Sequence, residues 1–441
     1  ADRFLACIAY LDGTEPSLVM CRGYYTSRDG TKGRTVLAAW DWRNHELIHR
    51  WTFEANPKSN REYLGQGNHN LSVGDIDDDG KDEIVYGACC IDDDGTGLYT
   101  TGLGHGDAMH LSDMDPNHPG LEVFAIHEDP GSYGPNGGEF RAAGTGQLIY
   151  GIDGHGTDVG RGCAFDIDPR YLGYEAWISS DDYIYDVHGN AIYGKNNAFL
   201  NFGIWWDADP LREMLDGTTI AKWRWDYTPP GRQNLVYAPA GTASNNGTKK
   251  TPCLTADIFG DWREEVIWRT NDNQELRIYT TTIPTTYRIY TLMHDPQYRL
   301  SIAWQNVAYN QPPHTGFYLG DGMSTPPIPN IQYPGATPVA QEQAQPQMPE
   351  EFVLEQNFPN PFNSSTTIRY SIPEETNVQL KIYNMLGKEI KTLTNSRKQR
   401  GNYQIQWDGK DSQEVQVPTG IYFYELRTNK FSVTRKLIIL R

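Results

Sequence analysis

The sequence predicts an all-β protein, and three observations carry that prediction. Gly (43) and Pro (27) together make about a sixth of the 441 residues, and 12 Trp and 27 Tyr raise the aromatic share to 12%. Abundant turns and aromatics with few helix formers favour β structure. Second, an acidic motif returns five times with a strand-like tail. Third, residues 352–441 alternate apolar and polar side chains in short runs, as in Thr367-Ile368-Arg369-Tyr370-Ser371-Ile372. A chain of this length divides into roughly two to four domains.

The repeats come first along the chain. Gly74-Asp-Ile-Asp-Asp-Asp-Gly-Lys-Asp-Glu-Ile-Val-Tyr86 is followed by Ser112-Asp-Met-Asp-Pro-Asn-His-Pro-Gly-Leu-Glu-Val-Phe124. Then come Phe165-Asp-Ile-Asp-Pro-Arg-Tyr-Leu-Gly-Tyr-Glu-Ala-Trp177, the degenerate Trp206-Asp-Ala-Asp-Pro-Leu-Arg-Glu213, and Ala256-Asp-Ile-Phe-Gly-Asp-Trp-Arg-Glu-Glu-Val-Ile-Trp268. The leading aspartates 75, 113, 166, 207 and 257 are spaced by 38, 53, 41 and 50 residues. A period of about 40–50 residues with strand-like tails is the mark of propeller blades. A propeller must close its ring, yet the chain begins in mid-pattern. Blades are therefore expected to be missing at the N-terminus.

The repeats also carry chemistry. Asp75, Asp77, Asp79 and Glu83 stand at positions 1, 3, 5 and 9 of a loop with Gly at position 6. Alternate carboxylates on a tight turn converge their oxygens, and Ca²⁺ accepts roughly 6–8 such ligands flexibly. The backbone carbonyl of Lys81 would add another oxygen. The loops at Asp113, Asp115 and Glu122 and at Asp166, Asp168 and Glu175 are one carboxylate poorer. The loop at Asp257, Asp261 and Glu265 is similar, and that at Asp207 and Asp209 is the weakest. Several calcium ions are expected, mainly in a structural role. The plain alternative is an acidic surface turn without metal.

Four histidines, His105, His110, His118 and His127, fall close together. His105 and His127 are candidates for a metal shell, since imidazole with carboxylate also suits softer metals. His110 and His118 read as hydrogen-bonding loop residues. Two basic segments stand out against a net charge of −18: Thr157-Asp-Val-Gly-Arg-Gly162 and Ser244-Asn-Asn-Gly-Thr-Lys-Lys250. A cation among small residues in an acidic protein suits an anionic substrate such as a uronate. Tyr309, in a Pro-rich stretch, could stack on a sugar or pack internally. The acidic balance argues against nucleic acid. No apolar run is long enough to span a membrane. The six cysteines fit no common zinc spacing and read as buried free thiols.

Composition breaks at residues 324–351, which are rich in Pro and Gln and read as an extended linker. Beyond it, residues 352–441 carry 13 basic and 8 acidic residues, whereas the rest of the chain carries 25 and 48. Period-2 patterning with frequent turns there predicts a β-sandwich.

Residues 1–323 form the first expected domain, and residues 1–322 resemble a rhamnogalacturonan lyase of polysaccharide lyase family 11. The motifs appear in order: Cys21-Arg-Gly-Tyr-Tyr25, Ala39-Trp-Asp-Trp42, Gly104-His-Gly-Asp107, Asp158-Val-Gly-Arg-Gly162, Asn246-Gly-Thr-Lys249 and Phe259-Gly-Asp-Trp-Arg-Glu-Glu265. The resemblance implies an eight-bladed, calcium-containing propeller, here without its N-terminal part. It implies calcium-dependent β-elimination at the rhamnose–galacturonate bond of rhamnogalacturonan I, a pectic polysaccharide. By motif, Arg161 and Lys249 correspond to the catalytic or charge-stabilising pair, and Asn246, Gly247, Thr248 and Tyr309 to substrate contacts. The stretch 26–33 looks like an added loop. Residues 352–441 resemble the C-terminal sorting domain of type IX secretion, on Leu354-Glu-Gln-Asn-Phe-Pro-Asn-Pro-Phe362, Ile382-Tyr-Asn-Met-Leu-Gly387, Trp407-Asp-Gly409 and Gly420-Ile-Tyr-Phe-Tyr424. That implies the type IX machinery as a partner and a secreted or cell-surface location; the protein is expected to be a monomer. The alternative for residues 1–323 is a non-catalytic calcium propeller that binds polysaccharide or mediates adhesion. The two basic loops speak for the enzyme, because a pure binder has no need of them.

Overall fold

The computed structural model of the chain describes residues 3–27, 31–307, 309–329, 331, 351–363 and 365–439. Residues 332–350, most of the expected linker, lie outside the described residues, as do residues 28–30 of the 26–33 loop. The chain divides into two units, Ala1–Ile331 and Gln332–Arg441. Both are built almost wholly of antiparallel sheets.

Among the described residues the first unit holds six sheets, each formed by consecutive strands. The first sheet runs Phe4–Ala9, Ser17–Arg22, Thr35–Arg43 and Glu46–Ala55. Its alternation is plain: Leu5, Cys7 and Ala9 are buried while Phe4 is exposed, the pattern of a sheet with one covered face. The next sheets differ. Ser72–Gly74, Glu83–Val85 and Cys89–Ile91 are buried at every residue, and only the outer strand Gly97–Thr100 is half-buried. The same fall from inner to outer strand recurs in the sheets that start at Met109–Ser112, Gly162–Phe165 and Phe202–Ile204. Strands covered on both faces read as continuous apolar runs.

Successive sheets share cores. Val19 and Leu37 of the first pack with Val73 and Ile84 of the second. Val85 and Cys90 pack with Met109, Leu111 and Val123 of the third. Phe124 and Phe140 meet Ala164 and Ile178 of the fourth. Phe165 and Trp177 meet Met214 and Trp223 of the fifth. Phe202 and Leu215 meet Val266 and Trp268 of the sixth. The helix Pro296–Trp304 then crosses back. Asp295 caps it, accepting the Tyr298 N–H at 2.9 Å, with Pro at its first position. Leu300 and Trp304 enter the core of the first two sheets. Gln305 exchanges two 2.8 Å hydrogen bonds with the backbone of Thr255 in the sixth sheet. In that sixth sheet, Thr242–Ala243 and Leu254–Ala256 pair successive parts of Glu265–Thr270, and Leu276–Tyr279 pairs its other edge. Residues 244–253 loop out between the two short strands.

The five acidic motifs occupy one structural position, the turn between two successive strands of a sheet: the first two strands in four of them, and Leu254–Ala256 and Glu265–Thr270 in the last. In each, the glutamate that opens the second strand turns one carboxylate oxygen back onto the loop. Glu83 accepts the Ile76 N–H at 2.9 Å, Glu122 the Met114 N–H at 2.8 Å, and Glu175 the Ile167 N–H at 2.8 Å. Glu213 accepts Trp206 N–H at 2.9 Å and Glu265 accepts Ile258 N–H at 2.9 Å.

The second unit has a three-stranded sheet, Val353–Leu354, Thr366–Ile372 and Gly401–Trp407, and a four-stranded one. The four strands are Glu389–Lys398, Thr376–Asn384, Gly420–Arg427 and Ser432–Ile439. Alternate residues of both, including Ile368, Tyr370, Leu380, Ile382, Tyr424 and Leu437, form one buried core.

Candidate functional site

Loops that are far apart in sequence meet at one end of the first unit's sheets. Backbone bonds fix them side by side. His69 N–H donates to Gly106 O (3.0 Å), Glu128 N–H to His105 O (2.9 Å), Val159 N–H to His127 O (3.3 Å) and Tyr309 N–H to His69 O (3.2 Å). Gly106 makes this possible. A Cβ there would lie 1.7 Å from the Ile126 carbonyl oxygen, so any other residue would push the His105–Asp107 segment off strand Glu122–Ile126.

The result is a cluster of His69, His105, Asp107 and Glu128, whose donor atoms all lie within 4.8 Å of one another. His69 Nε2 is 3.3 Å from Asp107 Oδ1 and 3.7 Å from Glu128 Oε1, and His105 Nε2 is 3.8 Å from Glu128 Oε2. Two tyrosines set the first imidazole: the Tyr24 hydroxyl is 2.8 Å from His69 Nδ1 and that of Tyr25 is 3.1 Å from Nε2. Tyr24 also stacks on His105 at 4.9 Å. Burial holds both imidazoles neutral, lowering His69 to about 3 and His105 to about 4. Burial, then the neighbouring Asp107, raises Glu128 to about 8. His105 Nε2 and Asp107 Oδ1 are buried and make no hydrogen bond among the described residues. Two unused ligand atoms beside two carboxylates fit a divalent cation.

The two cations read from the sequence converge on the same carboxylate. Lys249 Nζ pairs with Asp107 Oδ2, and Arg161 Nη1 lies 3.3 Å from that oxygen. Arg161 Nη2 also donates to Thr248 O at 3.3 Å. Lys249 Nζ sits 4.1 Å from the centre of the Tyr309 ring, which stacks on His69 at 4.1 Å. Burial, followed by the opposing pull of Asp107, leaves the lysine below its usual range, with Arg161 adding to the fall. Asn246 shapes the loop: its Oδ1 accepts the N–H of Lys249 (2.8 Å) and of Lys250 (3.0 Å). A Cβ on Gly247 would meet nothing within 4 Å, so the loop's tip is open. Arg161, Lys249, Thr248 and Tyr309 are thus brought together, and His105 joins them.

His127 does not join the cluster. It is fully buried, with Nε2 3.2 Å from Glu139 and Nδ1 3.0 Å from Gly104 O, so both ring nitrogens are used elsewhere. His69, Asp107 and Glu128 escaped sequence reasoning; the signals were Asn68-His-Asn70, Gly104-His-Gly-Asp107 and His127-Glu-Asp129.

The acidic loops are not alike. Asp75, Asp77 and Glu83 bring three carboxylates within range of one ion, as do Asp79, Glu83 and Asp93. The ammonium of Lys81 lies 2.8 Å from Asp79 and 3.2 Å from Asp93. Asp207, Asp209 and Glu213 also converge, around the ammonium of Lys222 at 2.7, 2.8 and 3.2 Å.

The other three loops depart from the expected ligand sets. Asp113, Asp115 and Glu122 are not among the described groups drawn that tightly together, nor are Asp166, Asp168 and Glu175, nor Asp257, Asp261 and Glu265. Asp115 is expected from the sequence as a calcium ligand beside Asp113 and Glu122, but the structure engages it otherwise. It is buried, its Oδ1 accepts the Asn117 N–H at 3.0 Å, and its Oδ2 lies 3.9 Å from His188 Nδ1. Protein groups thus face both oxygens of Asp115, and they are not pooled with Asp113 and Glu122 around one point. In the remaining two loops Arg170 takes Asp168 at 2.6 Å and Arg263 takes Asp261 at 2.5 Å.

Fold and site define a nearly all-β, repeat-built protein whose loops gather cations and metal donors around one carboxylate. Residues 1–329 match the model of the rhamnogalacturonan lyase family 11 C-terminal domain, and the chain belongs to that family. Residues 356–440 match the secretion system C-terminal sorting domain; the chain carries a type IX sorting signal and is a secreted or cell-surface protein. It is 55% identical over 334 residues to rhamnogalacturonan endolyase YesW of Bacillus subtilis (strain 168), covering 76% of this chain and 51% of that protein. It is also 55% identical over 350 residues to rhamnogalacturonan exolyase YesX of the same organism, covering 76% and 55%. The solved structure of Bacillus licheniformis rhamnogalacturonan lyase PL11 superposes with a TM-score of 0.70 at 56% identity, covering 75% of this chain and 54% of that one. The chain spans about half the length of the curated relatives it matches. Among the described residues no helix is long and apolar enough to cross a membrane.

Proposed function

We propose that the protein is a rhamnogalacturonan lyase that cuts the rhamnose–galacturonate bond of rhamnogalacturonan I by β-elimination. The observation that carries this reading is the convergence of Lys249 and Arg161 on Asp107 beside Tyr309. Elimination needs a base for the uronate C5 proton and positive charge for the carboxylate that becomes an enolate. Lys249, depressed by burial, is the base in its neutral form. Arg161 stays charged and stabilises the enolate. The C5–H electron pair becomes the C4–C5 double bond as the C4–O bond breaks, and the rhamnosyl oxygen leaves with a proton from water. Thr248 and Gly247 line the approach, and Tyr309, stacked on His69 with the Lys249 ammonium over its ring, fixes the base and can bond a sugar through its hydroxyl.

His69, His105, Asp107 and Glu128 would hold a divalent cation, which when bound adds positive charge where the uronate carboxylate docks. Calcium in the first and third acidic loops is supported by bare, buried oxygens: Glu83 Oε1, Asp166 Oδ1 and Glu175 Oε1 make no hydrogen bond among the described residues. The shared cores between consecutive sheets, and the helix that returns from the sixth to the first two, support a propeller arrangement.

The test is ultraviolet absorbance of unsaturated uronate during digestion of rhamnogalacturonan I. Lys249→Ala should lower kcat by about 10²–10⁴-fold, with the fold intact by circular dichroism. Wild-type turnover in this variant would sink the assignment, and new reducing ends without absorbance would mean hydrolysis.

A further inference from the structure

We propose that the cleft behind the Asn246–Lys249 loop is a further sugar subsite, which binds an acidic sugar residue of the same polysaccharide chain beyond the bond that is cut. The proposal rests on the lyase reading and extends it. The cleft has a volume of 490 Å³, within the roughly 300–1,000 Å³ of small-molecule sites. It lies between the turn at Asp216–Thr219, the outer strand Gly231–Tyr237, and the loop that carries Ser244, Gly247 and Lys250.

The loop links this cleft to the cluster at Asp107. Lys249 and Lys250 are consecutive, and Asn246 Oδ1 holds both their N–H groups. Their side chains part: Lys249 goes to Asp107, Lys250 to the cleft, where its ammonium lies 3.1 Å from Asp216 Oδ2. A chain lying across the open tip at Gly247 touches both sides.

The lining suits an acidic sugar. Arg232 lies with its guanidinium 3.9 Å from the centre of the Phe199 ring, and forms no ion pair among the described residues. A guanidinium held flat by an aromatic keeps its edge for a carboxylate. Tyr237 ends the same strand with 75% of its surface exposed, a face for the C–H side of a pyranose. Asn234, between them on that strand, spends no side-chain group on a hydrogen bond among the described residues. It is their common place in one cleft, an exposed aromatic with an arginine and an amide free of ion pairs and side-chain hydrogen bonds among the described residues, that suits a sugar.

The experiment compares kcat/KM of the full chain on polymeric rhamnogalacturonan I and on the shortest of its oligosaccharides that the wild type cuts. Arg232→Gln and Tyr237→Ala should each lower the polymer-to-oligosaccharide ratio about tenfold, the loss of one charged or stacking contact, chiefly through KM. Wild-type ratios in both folded variants would overturn the subsite and leave the lyase reading standing. If the wild type releases no unsaturated product from either substrate, that reading fails by itself. The subsite is then judged by calorimetric titration with the same oligosaccharides. Tenfold weaker binding to Arg232→Gln supports it; equal affinity, or none in the wild type, overturns it.

Discussion

In the first acidic loop Glu83 spends one oxygen on the Ile76 N–H and leaves the other buried and bare; in the fourth, Glu213 spends one on the Trp206 N–H and gives the other to Lys222 at 3.2 Å. Burial raises both glutamates to about 8, with the neighbouring aspartates adding to the rise. The two loops therefore share a frame and a charge problem. The fourth solves it inside the chain, with an ammonium that reaches all three carboxylates. The first has no such donor on Glu83. The other loops sort the same way: His118 takes the free oxygen of Glu122 at 2.7 Å and Thr280 that of Glu265 at 2.9 Å, whereas Glu175 Oε1 is bare. On the calcium reading, the loops that would take an ion are the first and third, whose glutamates keep a second oxygen bare, whatever the number of carboxylates.

The strongest way to break this comparison is Lys222→Met. It removes the only cation that touches Asp207, Asp209 and Glu213 among the described residues. Removing one partner of a buried ionic group costs about 3–5 kcal/mol, and the exposure of Asp209 puts this case at the low end, about 3 kcal/mol. Urea unfolding in chelator should show that loss. Added calcium should restore part of it, because the variant turns the fourth loop into one of the first kind. A variant as stable as wild type in chelator would refute the idea that Lys222 serves as the loop's cation.

A smaller effect should come from removing calcium from the wild type. An ion bound only by the folded state stabilises by about 2.7 kcal/mol when its concentration is a hundred times Kd. Thermal unfolding in millimolar calcium should therefore shift upward relative to chelator. Glu83→Gln keeps an acceptor for the Ile76 N–H and removes the charge, so the shift should shrink; Glu83→Gln with Glu175→Gln should erase most of it. An equal shift in the double variant would place the ions elsewhere.

What could be read from the sequence follows from distance along the chain. The acidic loops were legible because each keeps its carboxylates within about ten residues. Even so, the partner that distinguishes them was not: Lys222 lies on the strand after Glu213, paired across the sheet, and Thr280 lies just past the strand that follows Trp268. Asp115 shows the same limit, since the imidazole nearest it, His188, belongs to a turn far along the chain. Arg161 and Lys249 were visible as basic loops in an acidic protein. The third point of that triangle, Asp107, was one aspartate among many. His69 and Glu128 reach it only through the backbone bonds that clamp three loops together. His127 was misread for the opposite reason. Its neighbour in sequence faces the cluster while its own ring turns inward to Glu139. The β class itself, and the sandwich pattern of residues 352–441, are local and survived translation into structure.

Buried charge is handled in a third way at the centre of the first unit, by giving up the proton. His110 Nδ1 and His314 Nε2 are 2.9 Å apart, His314 Nδ1 is 3.4 Å from Arg212, and the arginine also lies 3.4 Å from Glu264. Burial lowers His110 to about 3, and burial, then the charge of Arg212, lowers His314 well below its usual value. In the unfolded chain both titrate near 6.5. Between that value and about 3 the unfolded state binds more protons, so stability is full above pH 6.5 and falls as the pH drops. The slope is about 1.4 kcal/mol per pH unit for each histidine. His314→Gln removes one proton site and keeps an acceptor for Arg212. At fixed calcium, its loss of unfolding free energy from pH 6.5 to 5.5 should be about 1 kcal/mol less than that of wild type, because the unfolded imidazole is only half protonated at the start of that interval. Parallel acid limbs would show that these imidazoles do not set the acid sensitivity, and would return it to the carboxylate loops.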